Sequence, residues 1–375
     1  MRRFLIQLGI FLSPFIVFFG MPTYILWSYK ENFYEIDKIL NSKENYLIGY
    51  AHNEINYHYL KWSNLNYNSR RTVWALGSSR VLSFREKMFD ISFYNAGYTV
   101  ESLNDFLPFL LSIPDSKYPE YIIIGLDQWM FNSKYDDLNS RPSIESWQNS
   151  FKFFPKIYPT YKLIYDELFA GKYTLGNFKN DTSIHKIGLN AIFNNTGFKN
   201  DGSIFYGSQI RKLMHNDTTA SDYKFSNTLD RIKNASGRFQ YGQDINKKAI
   251  LELDKILGYC NKHNIKVIAF LPPYSEKIFS YMVENDNNYE YLKEIYTEVK
   301  PFFEKYNFEL YDFSNTISCN SSDDEMIDGF HGGELIYQKI LISMLDSGSV
   351  LNKLTNVNRL KSDLLKRKNN YIIYD

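Results

Sequence analysis

The sequence predicts an α/β fold: a three-layer α/β/α sandwich with a central parallel sheet, an N-terminal transmembrane helix ahead of it and an insertion in mid-chain. Short apolar runs alternate with longer segments whose apolar residues recur at helical spacing, the pattern of parallel strands joined by crossover helices. Residues 4–27 are mostly apolar and carry no charge. Residues 128–244 break the alternation and are rich in Asn, Gly, Lys and Tyr.

Within residues 1–29 the apolar run is interrupted only by Gln7, Ser13 and Thr23. At ~1.5 Å per residue it spans the ~30 Å hydrocarbon layer, and Pro14 and Pro22 do not prevent insertion. Arg2 and Arg3 precede it, so the positive-inside tendency keeps the N-terminus cytoplasmic and exports everything after about Tyr29. The run exceeds the ~7 to 15 residues of a signal-peptide core and no small-x-small cleavage site follows, so an uncleaved anchor is expected. The bulk of the chain is then periplasmic or at the cell surface. Residues 30–71, polar and aromatic, read as a stalk or an opening helix.

The α/β domain is expected over 72–350, with strands at 72–76, 92–96, 121–124, 266–271 and 308–311. Residues 102–111, 246–263 and 289–306 have helical spacing, as in Ile250, Leu253, Ile256 and Leu257. Right-handed crossovers place such helices over the sheet faces. The insertion, about 128–245, contains turns such as Asn200-Asp201-Gly202 and is expected to wall the substrate site and recognise the acceptor. The tail, 351–375, with Lys361, Lys366, Arg367 and Lys368, reads as a basic, solvated surface segment.

Composition narrows the function. In a chain of 375 residues, 17% aromatic and 23% charged residues supply ample core material, and a net charge of +1 excludes nucleic acid as the main partner. Cys260 and Cys319 permit at most one disulfide. No Cys-x-x-Cys occurs, and His52 and His58 around Glu54 lack zinc-helix spacing, so no metal or other cofactor is expected.

Two short stretches carry chemistry. Gly77-Ser78-Ser79-Arg80 follows the apolar run Val73-Trp74-Ala75-Leu76, which places the serines at the carboxyl end of a strand, where active sites of open α/β sheets form. Near the other end lies Asp328-Gly329-Phe330-His331. Hydroxyl attack on an ester needs a base within hydrogen-bond reach and donors aimed at the developing oxyanion. Ser79 is the candidate nucleophile, with its own N–H as one donor and Ser78 as the alternative. Gly97 offers a second backbone donor, His331 is the base, and Asp328 fixes its tautomer. Arg80 is a candidate for binding a substrate carboxylate or for pairing with Glu86 or Asp90.

In this order and context the chain resembles the SGNH-hydrolase superfamily, also called GDSL esterases. The family's Gly-Asp-Ser-Leu block aligns with Gly77-Ser78-Ser79-Arg80, its second-block glycine with Gly97, and its Asp-x-x-His with Asp328 and His331. The resemblance covers roughly residues 72–345 without the insertion. It is nearest to the membrane-anchored, exported branch that includes DltD-like proteins, and so implies work beside a membrane-bound O-acyltransferase on a cell-surface glycan or teichoic-acid-like polymer. One block departs: the family's Gly-x-Asn-Asp aligns with Gly125-Leu126-Asp127-Gln128. The oxyanion-donating Asn becomes Asp127, which when ionised only accepts, and losing such a donor costs about 10²-fold in rate. Gln128 is the candidate substitute donor and, with Arg80, a candidate for binding substrate. The expectation is a serine acyltransferase or esterase moving an acetyl, alanyl or similar group through acyl-Ser79. The alternative is a catalytically weak glycan-binding or scaffold partner of the acyltransferase. A secreted lipase fares worse, because the anchor restricts diffusion.

Overall fold

A computed structural model describes residues 1–31, 38–39, 41–42, 44–52, 54, 56–139, 157–171, 185–284 and 288–374. Its strands are β1 (Tyr46–Ile48), β2 (Val73–Leu76), β3 (Phe93–Asn95), β4 (Tyr121–Gly125), β5 (His185–Ile187), β6 (Thr196–Phe198), β7 (Ile204–Tyr206), β8 (Lys266–Leu271) and β9 (Glu309–Asp312). The five strands read from the sequence form one sheet in the order β3-β2-β4-β8-β9, every pairing parallel. Their β-branched and aromatic residues suit a buried pleated surface. The chain winds from β2 outward to β3, then returns to the other side of β2 with β4. That reversal falls at the carboxyl ends of β2 and β4, where Leu76 lies opposite Ile124, the position at which open α/β sheets bind their ligands.

Successive strand residues point to opposite faces and feed separate buried clusters. Trp74, Leu76, Ile122, Ile124, Val267 and Leu271 pack with Phe106, Leu253 and Ile295 from the helices Leu103–Leu111, Lys247–Lys262 and Tyr291–Lys305. Val73, Ala75, Ile123, Ile268 and Phe270 pack with Ile336, Ile340 and Leu360 from the helices Glu334–Asp346 and Val357–Leu365. Cys260 belongs to the first cluster and Cys319 to the second, and both are free thiols. The disulfide that composition allowed is absent because the sheet stands between its partners.

The helix Arg2–Ser28 is apolar and long enough to cross a membrane, as an anchor or signal sequence would be. Its end is held by the protein: Ile25 and Leu26 are buried with Tyr161, Ile164 and Leu189. The insertion helix Ile157–Phe169 lies along it, with the Tyr165 hydroxyl donating to Val17 O at 2.8 Å.

Three segments are more deeply built in than their sequences imply. Of the stalk or opening helix expected over residues 30–71, the described residues contain a helix, and they are part of the folded body. β1 joins a second sheet, β5-β1-β6-β7, and the helix Asn56–Tyr67 is buried along much of its length. Lys61 Nζ donates to Asn95 O at 2.8 Å and Gly202 O at 2.6 Å, tying the end of β3 to the insertion. β1 is three residues long and its partners β5 and β6 lie over a hundred positions away, so it leaves no periodic signal. The expected insertion begins inside the core, since Gln128–Phe131 is a buried 3₁₀ turn, and its residues 140–156 and 172–184 lie outside the described residues. The tail, read as a solvated segment, docks instead: Leu360 is buried, and Glu334 Oε2 accepts from the N–H groups of Ile373 and Tyr374. The few apolar residues that hold it are scattered among lysines in the sequence.

Candidate active site

The serine turn is fixed by what surrounds Val81. Cβ atoms at Gly77, Gly97 and Gly125 would lie 3.0, 2.5 and 2.4 Å from its methyl groups. The glycines after β2 and β3 and at the end of β4 therefore let the turn settle onto the strand ends. Asn95, fully buried, braces it: Nδ2 donates to Val81 O at 2.7 Å and Phe84 O at 3.0 Å. Ser78 is buried and caps the 3₁₀ turn Ser79–Val81, its hydroxyl accepting from Arg80 N at 3.2 Å. Ser79 is the serine left partly exposed beyond the carboxyl end of β2. Its N–H stands at the first position of the turn, where no intrahelical acceptor exists.

The two distant stretches meet here. Ser79 Oγ lies 2.8 Å from His331 Nε2, and His331 Nδ1 lies 2.7 Å from Asp328 Oδ2. Asp328 Oδ1 also accepts from the N–H groups of Phe330 at 2.9 Å and His331 at 2.7 Å, so the Asp-x-x-His turn locks its own carboxylate. Burial opposes ionisation of Asp328, but His331 and these hydrogen bonds outweigh it and hold the carboxyl below its ordinary range. The network assigns the Nδ1 proton to the Asp328 side and leaves Nε2 to accept from Ser79.

The expected oxyanion groups are arranged differently. Gly97 N–H donates to Asn95 Oδ1 at 2.9 Å, so it is engaged within the protein. Its lack of a Cβ serves the packing of Val81. Asp127 is buried beside Arg80, with Nη1 3.3 Å from Oδ1. Burial pushes its carboxyl up from the ordinary value, and Arg80 opposes the rise.

Arg80 is spent on the protein. Nε donates to Phe330 O at 3.0 Å, Nη1 to Gln128 Oε1 at 2.7 Å and Nη2 to Pro272 O at 2.6 Å. It is fully buried, 4.3 Å over the ring of Tyr274. Its expected partners are taken elsewhere: Glu86 pairs with Arg71 at 3.7 Å and Asp90 with Arg359 at 3.0 Å. Gln128 Nε2 donates to Pro272 O at 2.9 Å. Neither Arg80 nor Gln128 is free for the substrate-binding role read from the sequence, because a fully buried guanidinium must find its acceptors inside.

The insertion supplies neighbours that sequence reasoning missed. The ring of Tyr206, at the end of β7, stands 6.5 Å from that of His331. Asp222 Oδ2 accepts from Gly329 N at 2.9 Å, clamping the turn between Asp328 and His331. Arg231 stacks over Phe330, the residue before His331. No local pattern announces these residues. Asn95 had a faint one, a polar residue closing an apolar strand just before Ala96 and Gly97. Among the described residues no cluster of metal-ligating side chains occurs. No family model matches the chain, and no curated protein matches it.

Proposed function

We propose that this is a membrane-anchored, extracytoplasmic serine acyltransferase or esterase of SGNH type, with the three-layer α/β/α architecture of that superfamily. Its substrates are acyl groups on a cell-surface polysaccharide or teichoic-acid-like polymer, and a membrane-bound O-acyltransferase is its expected partner. The observation that carries this reading is the unbroken relay Ser79–His331–Asp328 at the switch point of a parallel sheet. In the first half-reaction Ser79 Oγ attacks the acyl carbon while His331 Nε2 takes its proton. Collapse of the tetrahedral intermediate breaks the bond to the leaving alkoxide, which receives that proton from His331. In the second, His331 deprotonates an acceptor hydroxyl, or water, which attacks acyl-Ser79. The Ser79–acyl bond breaks and the proton returns to Ser79.

A second reading, a catalytically weak module that binds glycan or holds an acyltransferase complex together, is favoured by the oxyanion side. Gly97 N–H is already engaged, and Asp127 stands where the family places a donor. The two are separated by exposing the full-length protein in detergent to a fluorophosphonate and mapping the adduct by mass. One adduct on Ser79, lost in His331→Ala, is expected of the enzyme. Folded protein that stays unlabelled rules out the activated serine and leaves the scaffold reading.

A further inference from the structure

The arginines around the triad are not equivalent. Arg80 is saturated with internal acceptors, and Arg238 pairs with Glu101 at 3.3 Å while stacking on Trp129 at 4.9 Å. Arg231, from the helix Ser226–Lys233, is half-buried, and its guanidinium has neither a hydrogen-bond nor an ion-pair partner among the described residues. It lies over Phe239 at 4.8 Å and Phe330 at 5.4 Å, and the Phe330 ring is 4.3 Å from that of His331. The aromatic rings hold the guanidinium plane in place, and its N–H groups donate to none of the described residues. Burial and the charge of Arg238 both work against the cation, outweighing the favourable influence of Asp328, Asp222 and Tyr274. Among the described residues no carboxylate forms an ion pair with this half-buried guanidinium.

We propose that Arg231 supplies an anion-recognition site beside the triad, binding a carboxylate or phosphate on the acyl acceptor while its hydroxyl faces Ser79. The guanidinium fork matches both groups bidentately, and the Phe239–Phe330 platform fixes its orientation in advance. The assignment of the group to the acceptor rests on the acyl-transfer reading of Ser79; the anion site itself does not.

The test uses full-length protein in detergent and three non-cleavable probes: neutral acetanilide, 4-acetamidobenzoate and 4-acetamidophenyl phosphate, titrated by calorimetry. The wild type should bind at least one of the two anions about tenfold more tightly than acetanilide, the scale of one charge-assisted pair. Arg231→Gln should abolish that preference with its melting temperature preserved, and Arg231→Lys should keep part of it. Equal binding of all three probes by the wild type, or a preference that survives Arg231→Gln, overturns the proposal. Hydrolysis of 4-acetoxybenzoate is measured in parallel. A wild type that discriminates the anions yet cleaves no faster than Ser79→Ala sinks the acyl-transfer reading and leaves the anion site standing.

Discussion

Two carboxylates with opposite environments define the site at the scale of single residues. Asp328 receives three hydrogen bonds, two of them from backbone N–H groups, and its carboxyl is held low. Its ionised form therefore stabilises the fold above the ordinary carboxylate pKa of ~3.9, and that contribution is lost as pH falls through the lower folded value. Asp328→Asn should flatten the acid fall in melting temperature. It should also slow fluorophosphonate labelling of Ser79 by about 10³- to 10⁴-fold at neutral pH, by favouring the wrong His331 tautomer. Labelling at the wild-type rate would remove Asp328 from the relay. Asp127 is the reverse case, a carboxyl that burial pushes up beside a fully committed arginine. Asp127→Asn removes a negative charge and supplies an amide donor, while Arg80 keeps Gln128, Pro272 and Phe330 as acceptors. Hydrolysis of an aryl acetate should rise about tenfold or more, the scale of a restored oxyanion donor. An unchanged rate would place Asp127 away from the oxyanion.

At the scale of elements, the position of the nucleophile is a packing problem. The turn after β2 carries Val81 into space left by glycines at the ends of three strands, and Asn95 at the end of β3 ties down its carbonyls. A methyl at Gly97 would meet Val81 at 2.5 Å and Asn95 Oδ1 at 2.8 Å. Gly97→Ala should thus cost about 1–3 kcal/mol by overpacking, read as a lower denaturant midpoint. Labelling of Ser79 should fall with it as the turn lifts. A variant with wild-type stability would show that the turn yields without cost. The strand-turn sequence was legible in Val73 to Arg80 and in Gly97, because strand, turn and close approach each have a local residue signature. The use made of Gly97 N–H was not, since it depends on the rotamer of a neighbouring side chain.

At the scale of the whole molecule, the apolar N-terminal helix is joined to the folded body. Ile25 and Leu26 are buried, each at 1% exposure, among residues of the insertion. Burying such side chains is worth about 1.5–3 kcal/mol apiece, so a chain starting at residue 29 should melt several degrees lower than the full-length protein in the same detergent. Identical melting would show that the contact contributes nothing to stability. The sequence by itself determined the parallel sheet, the apolar helix and the four-residue blocks carrying Ser79 and His331, because hydrophobic period and turn chemistry are local properties. Only the tertiary structure decided that Ser79 Oγ comes within 2.8 Å of His331 Nε2, that Arg80 is consumed inside, and that Arg231 from the insertion stands beside the triad with no hydrogen-bond or ion-pair partner for its guanidinium among the described residues. Those facts depend on which side chains share buried space across some 250 residues of chain, and no window of sequence holds both partners.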